Sequence, residues 1–190
     1  MDNNNNNNNN NICPWWLGYT FLLPIRKFQH NPKKILGSHI KKGMEVMDYG
    51  CAMGYFSIPL AQMTGLEGTV FCVDIQHKML EKLQKRAIKY GVSPTIKPLQ
   101  IGRNYNSDDL REKLDFVLLF AVVHEVPDKV SLFRDLFSML KKDGKVLFAE
   151  PKGHVKSTDF EKSLQLAKNA GFKVLEEKPL KKGLCSFLQK

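Results

Sequence analysis

Gly50, Ala52 and Gly54 alternate with larger residues in the stretch Asp48-Tyr49-Gly50-Cys51-Ala52-Met53-Gly54, directly after the apolar pair Val46-Met47 and directly before Tyr55-Phe56-Ser57-Ile58-Pro59-Leu60-Ala61. An apolar run that ends in an acidic residue, passes through closely spaced small residues and continues as a helical pattern reads as strand, tight turn and helix. This is a nucleotide-type binding corner; a plain strand–loop–helix connection is the competing reading. A second acidic residue, Asp74, ends the apolar run Thr69-Val70-Phe71-Cys72-Val73, 24 residues beyond Gly50. In nucleotide-binding α/β folds, an acid at that strand end accepts hydrogen bonds from ribose hydroxyls; capping the next helix is the other use of an Asp there. The third group is His124-Glu125, behind the apolar run Leu114–Ala121. A histidine beside a carboxylate can move a proton near neutral pH, although a lone histidine is more often a hydrogen-bonding structural residue.

The spacing decides which nucleotide. A dinucleotide fingerprint needs its last glycine at the sixth position of the turn, for close helix–strand packing. Counted from Gly50 that position is Tyr55, too large for the role. Small residues instead fall at the first, third and fifth positions, after an acidic residue. This resembles motif I of the class I S-adenosylmethionine-dependent methyltransferases, with Ala52 where the family usually carries its middle glycine. If that position needs φ > 0, the alanine methyl carries a strain cost; if it needs only room, the cost is small.

The resemblance extends along the chain. Val122-Val123-His124-Glu125-Val126-Pro127-Asp128 is similar to the motif IV region of small-molecule methyltransferases of the ubiquinone and menaquinone type, and Leu140–Pro151 to the family's helix end, glycine turn and fifth strand. It implies that Asp48, Gly50, Ala52 and Gly54 form the cofactor corner and that Asp74 holds the ribose. Ile75 and Met79 would pack beside the adenosine, Arg103 or Asn104 would reach the adenine, and Phe120 with Ala121 would line the methionine end. His124 and Glu125 would then face the acceptor pocket as catalytic candidates. The acid usual in the loop after the third strand is missing.

Seven strands are predicted to position these residues. Four follow the periodicity at Glu45–Tyr49, Thr69–Val73, Thr95–Ile101 (weaker, and broken by Pro98) and Leu114–Ala121, and the resemblance implies a fifth within Leu140–Pro151, interleaved with helices from Pro32 to Ile40, Tyr55 to Thr64, Met79 to Tyr90 and Lys129 to Leu140. The near-continuous apolar character of the central runs suits parallel strands covered on both faces. After a last helix, Ser157–Asn169, the strands Phe172–Glu177 and Leu184–Leu188 are joined by a short loop, which forces them antiparallel. The expected fold class is α/β: a doubly wound, mostly parallel seven-stranded sheet with an antiparallel terminal hairpin, Rossmann-like in the manner of the methyltransferases.

The chain of 190 residues suits one domain, read as a methyltransferase domain over 31–190. Residues 1–11 form an Asn-rich leader whose composition predicts disorder. Residues 12–30 are an aromatic extension in which Trp16 and Tyr19 are, on the resemblance, candidates to line an acceptor pocket under a lid. The apolar run Ile12–Leu23 is interrupted by Pro14, is too short to span a bilayer and lacks signal-peptide features, so 12–28 offers peripheral membrane contact at most. Four cysteines lie scattered with no metal-ligand or disulfide spacing, which predicts no metal site and a reducing, cytoplasmic setting. The net charge of +10 raises a nucleic-acid reading, but the basic residues occur as dispersed pairs such as Lys33-Lys34 and Lys181-Lys182, as on a solvated surface.

Methyl transfer from a sulfonium needs an in-line approach and exclusion of water more than acid–base help, so positioning carries much of the rate. The resemblance implies an S-adenosylmethionine-dependent methyltransferase, and the aromatic segment points to a small, partly apolar acceptor. Two alternatives are a methyltransferase-fold interaction module without catalysis, favoured by Ala52, and a nucleic-acid methyltransferase, disfavoured because Ala121-Val122-Val123-His124 stands where base-amino methylating enzymes carry Asn-Pro-Pro-Tyr. Oligomeric state is not legible.

Overall fold

The computed structural model describes residues 30–151, 153, 155–177 and 183–190. Its strands are β1 (Glu45–Tyr49), β2 (Thr69–Asp74), β3 (Ile96–Gln100), β4 (Leu114–Phe120), β5 (Leu140–Pro151), β6 (Lys173–Glu177) and β7 (Gly183–Gln189). They form one sheet in the order β3-β2-β1-β4-β5-β7-β6. The first five run parallel, and β7 pairs antiparallel with both β5 and β6, so the reversed terminal hairpin is present. The α-helices are α1 (Pro32–Leu36), α2 (Ser57–Thr64), α3 (His77–Lys89), α4 (Lys129–Met139) and α5 (Ser157–Asn169).

The sheet is buried on both faces because successive strand residues point to opposite sides. Val46, Val70, Phe116 and Leu118 face a core shared with Leu36 of α1, Leu60 of α2 and Leu83 of α3. Met47, Val117 and Leu119 face Phe133 and Leu136 of α4 and Phe160 and Leu164 of α5. Each such fully buried side chain contributes about 1.5–3 kcal/mol relative to exposure. Local signals set the helix starts. Asn31 accepts from Lys33 N–H at 3.0 Å and Lys34 N–H at 3.3 Å ahead of Pro32, and Asp128 accepts from Ser131 N–H at 2.9 Å to open α4.

Three expectations change. Helix α1 stops at Leu36 rather than Ile40, and the chain continues as a turn in which the N–H groups of His39 and Ile40 both donate to the Leu36 carbonyl. Pro98 does not break β3: as an edge strand, β3 bonds on one side only, where a missing N–H is tolerated. The glycine turn expected between α4 and the fifth strand is built into β5 as an irregularity, with Asp143 at φ 65°. A Cβ on Gly144 would lie 2.9 Å from the Lys141 carbonyl and 3.1 Å from that of Leu114, so only glycine fits there. Among the described residues no helix is long and apolar enough to cross a membrane.

Candidate active site

In this strand order the chain leaves β1 toward β2 on one side and returns to β4 on the other, and such a switch point opens a crevice at the C-terminal strand ends. The residues singled out in the sequence lie along that edge. Gly50 follows β1 at φ 76°, and a Cβ there would come 2.5 Å from Val122 Cγ2 in the loop after β4. Gly54 sits at φ 79°, where a Cβ would run into Leu83 of α3. Ala52 takes φ 46°, so the strained alternative for this position holds. Asp48, 3 % exposed, accepts from Ser57 Oγ at 2.5 Å and thereby fastens the strand end to the first residue of α2.

Asp74 ends β2 and organises this corner. Its Oδ2 accepts from Ala52 N–H at 2.9 Å and its Oδ1 from Gln76 N–H at 2.8 Å. Burial pushes its carboxyl above the usual range, against the lowering effect of the N–H groups of Gln76, Ala52 and Ile75. The side chain of Ile75 is exposed, while Met79 is buried in the first turn of α3. Arg103 and Asn104 both lie on the surface, and Asn104 Oδ1 turns back to accept from Gln100 N–H at 2.6 Å. Gln100 itself pairs with Asp74 across the ladder and donates from Nε2 to the Ile75 carbonyl at 3.3 Å, leaving its buried Oε1 without a hydrogen-bond partner.

Strand β4 ends at Phe120, whose ring lies 4.6 Å from that of Phe56 and 5.1 Å from that of His30. Ala121 turns the chain at φ 58° with its N–H on the Ala149 carbonyl at 2.8 Å. The short 3-10 turn Val123–Glu125 follows, pinned by Val123 at 1 % exposure. It sets His124 Nδ1 2.9 Å from Glu150 Oε2 and His124 Nε2 3.9 Å from Glu125 Oε1. The hydrogen bond to Glu150 raises the histidine above its ordinary value, with burial opposing. Burial raises the Glu125 carboxyl; His124 lowers it, and Asp74 and Glu150 raise it further. On the other side of the corner, burial followed by Asp135 and Asp74 pushes the Tyr49 hydroxyl up to about 12.

The structure thus brings Gly50, Ala52 and Asp74 together at one end and His124 with Glu125 at the other. It adds three residues that spacing did not reveal. Glu150 closes the end of β5, Gln100 ends β3, and Arg86 on α3 donates from Nη1 to the Met53 carbonyl inside the glycine-rich turn. Trp16, Tyr19 and the rest of segments 1–11 and 12–28 lie outside the described residues. Among the described residues no group of His, Cys, Asp and Glu is arranged to hold a metal ion.

The sequence profile of a family described as the methyltransferase domain matches residues 40–183, which covers the corner, the β4 end and the chain through β6. The chain belongs to this methyltransferase family, in its class I S-adenosylmethionine-dependent form. Among curated methyltransferases it is 31 % identical over 107 residues to a ubiquinone biosynthesis O-methyltransferase of Pseudomonas fluorescens, over 56 % of this chain and 44 % of that protein. It is 28 % identical over 107 residues to a demethylmenaquinone methyltransferase of Lactobacillus johnsonii, over 56 % of this chain and 43 % of that protein. The chain therefore spans less than half the length of these curated relatives. In fold it resembles a SAM-dependent methyltransferase from Aquifex aeolicus, with a TM-score of 0.82 and 21 % identity over 94 % of this chain and 99 % of that one.

Proposed function

We propose that this methyltransferase domain binds S-adenosylmethionine along the C-terminal edge of its sheet and transfers the methyl group to a small, partly apolar acceptor. The observation that carries the reading is the hydrogen bond from Ala52 N–H to Asp74, which joins the glycine-rich turn to the end of β2. Two features of the chain fit the cofactor. Gly50 and Gly54 leave bare backbone at positive φ, and the buried Gln100 Oε1 lacks a donor next to Asp74, where the adenine amino group would supply one.

Asp48 holds the turn to α2, Gly50, Ala52 and Gly54 present backbone, and Asp74 takes the ribose hydroxyls. Ile75 and Met79 flank the adenosine, Arg103 and Asn104 border the adenine, and Phe120 and Ala121 line the methionine end. Bound there, the cofactor supplies a methyl group on a sulfonium whose departure as a neutral thioether needs little acid–base help. The chain's part is to align the acceptor and exclude water, a task we assign to the aromatic segment 12–28 together with Phe120. His124 and Glu125 stand at the acceptor end. The names of the relatives, a ubiquinone biosynthesis O-methyltransferase and a demethylmenaquinone methyltransferase, support a small acceptor of partly apolar character. Buried thiols at Cys51 and Cys72 support a cytoplasmic, reducing setting.

The test is calorimetric titration with S-adenosylmethionine and with its demethylated product, on wild type and Asp74→Ala. Micromolar binding that disappears in the variant is expected. Absence of binding by the wild type overturns the reading.

A further inference from the structure

Glu150 is 2 % exposed at the end of β5, and a carboxylate that deep is strongly unfavourable unless charge or hydrogen bonds hold it. Its partner is His124 twice over: the backbone N–H reaches Oε1 at 3.3 Å and ring Nδ1 reaches Oε2 at 2.9 Å. The histidine side chain is 25 % exposed, so the pair spans from the interior to the crevice side of the sheet edge. An ionised carboxylate only accepts hydrogen bonds. It therefore selects the imidazole tautomer that carries its proton on Nδ1 and leaves Nε2 as the basic nitrogen.

We propose that Glu150 is a positioning residue that fixes Nε2 of His124 as a proton acceptor, and that the methyl acceptor accordingly presents an O–H group that is deprotonated as it is methylated. The inference rests on the methyltransferase reading for its second half and on geometry alone for its first. In the step, the acceptor oxygen forms the new C–O bond with a lone pair while its proton moves to His124 Nε2. The C–S bond breaks with its electrons left on a neutral sulfur. The imidazolium so formed lies against Glu150 and returns its proton to water. An amine acceptor would attack as the free base already present in solution and would gain little from such a pair. Among the described residues, the charged groups that act on His124 include Glu125 on its own turn, Glu150 on β5 and Lys129 at the start of α4, with Asp74 acting on Glu125 from β2.

The experiment is nitrogen-15 NMR of His124 in the full chain, without cofactor, across a pH titration. A neutral ring protonated on Nδ1 is expected in the wild type, with a titration midpoint that falls toward that of an ordinary histidine in Glu150→Gln and is restored in part by Glu150→Asp. A neutral ring protonated on Nε2 overturns the assignment even if Glu150→Gln does not fold, and so does a midpoint that Glu150→Gln leaves unchanged. The acceptor class is tested by adding phenol or aniline to the chain loaded with the demethylated cofactor product. A shift at Nε2 with phenol and not with aniline supports an O–H acceptor; a shift with aniline alone, or with neither, overturns it. Failure of the cofactor titration with the Nδ1 tautomer intact would sink the methyltransferase reading and leave the positioning role of Glu150 standing.

Discussion

The main-chain N–H of Ala52 donates to the Asp74 carboxylate across 2.9 Å, so the turn after β1 is shaped by the residue that ends β2. A non-glycine residue in the left-handed region costs roughly 1–2 kcal/mol, and a hydrogen bond to a charged group contributes roughly 1.5–3 kcal/mol. The second term is the larger, which is why the turn tolerates Ala52 at φ 46°.

Ala52→Gly is therefore expected to stabilise the fold. It removes the methyl group from a left-handed position while keeping the N–H that Asp74 needs. The expected gain is about 1 kcal/mol, or roughly 2–4 °C in Tm for a chain of this size. Thermal unfolding by circular dichroism checks it; a fall in Tm would show that the methyl group contributes packing that outweighs the strain.

Gly50→Ala should do the opposite. Its φ of 76° disfavours any side chain, and the new Cβ would stand 2.5 Å from Val122 Cγ2. Backbone strain and overpacking together are expected to cost about 2–4 kcal/mol. Val122→Ala in the same chain should return the overpacking share of about 1 kcal/mol and leave the backbone share, which a double-mutant cycle by urea unfolding resolves. Strict additivity would mean that the turn and the β4 loop do not touch in solution.

How much of this was legible beforehand follows from what each feature depends on. The corner at Asp48–Gly54, the acid at Asp74 and the reversed hairpin rest on local spacing, and the strands stand where the apolar runs put them. The left-handed Ala52 was visible only as a conditional cost, because its sign needs φ. Glu150 was invisible as a partner of His124. It sits 26 residues away, reads as an ordinary strand end before Pro151, and meets the histidine only because β4 and β5 pair with Phe120 opposite Ala149. The resemblance points to Arg103 and Asn104 rather than to Gln100, because a likeness of loops does not show that β3 ends at Gln100, opposite Asp74. The Arg86 contact to the Met53 carbonyl joins a helix face to a loop, and periodicity assigns that arginine only to the polar side of α3.

The pairing of His124 with Glu150 makes part of the stability pH-dependent. The histidine is raised above its unfolded value near 6.5, chiefly by the hydrogen bond to Glu150. A group shifted upward on folding binds its proton more tightly in the native state, so its stabilisation is complete below about pH 6.5 and is lost as pH rises through the raised value. The stability difference between wild type and His124→Gln is expected to be largest near pH 5.5 and to shrink by pH 8.5. Urea unfolding at a series of pH values reads it directly, and a difference that grows with pH would reverse the assignment.

Glu125 should follow the same rule from the acidic side while differing from His124 in catalysis. Burial raises its carboxyl above the ordinary value of 4.5, and the nearby Asp74 and Glu150 push it the same way against the pull of His124. Glu125→Gln imitates the protonated form. Its stability is therefore expected to match wild type near pH 4 and to exceed it at pH 7, where the wild-type carboxylate is ionised in a half-buried position among other acids. If His124 takes the acceptor's proton, His124→Gln lowers methyl transfer by about 10²-fold or more, whereas Glu125→Gln lowers it far less, with the cofactor Kd unchanged in both. Single-turnover transfer of labelled methyl, read beside calorimetric cofactor binding, separates the two residues. The reverse ranking would move the proton-accepting role to Glu125 and leave the histidine as the group that orients it.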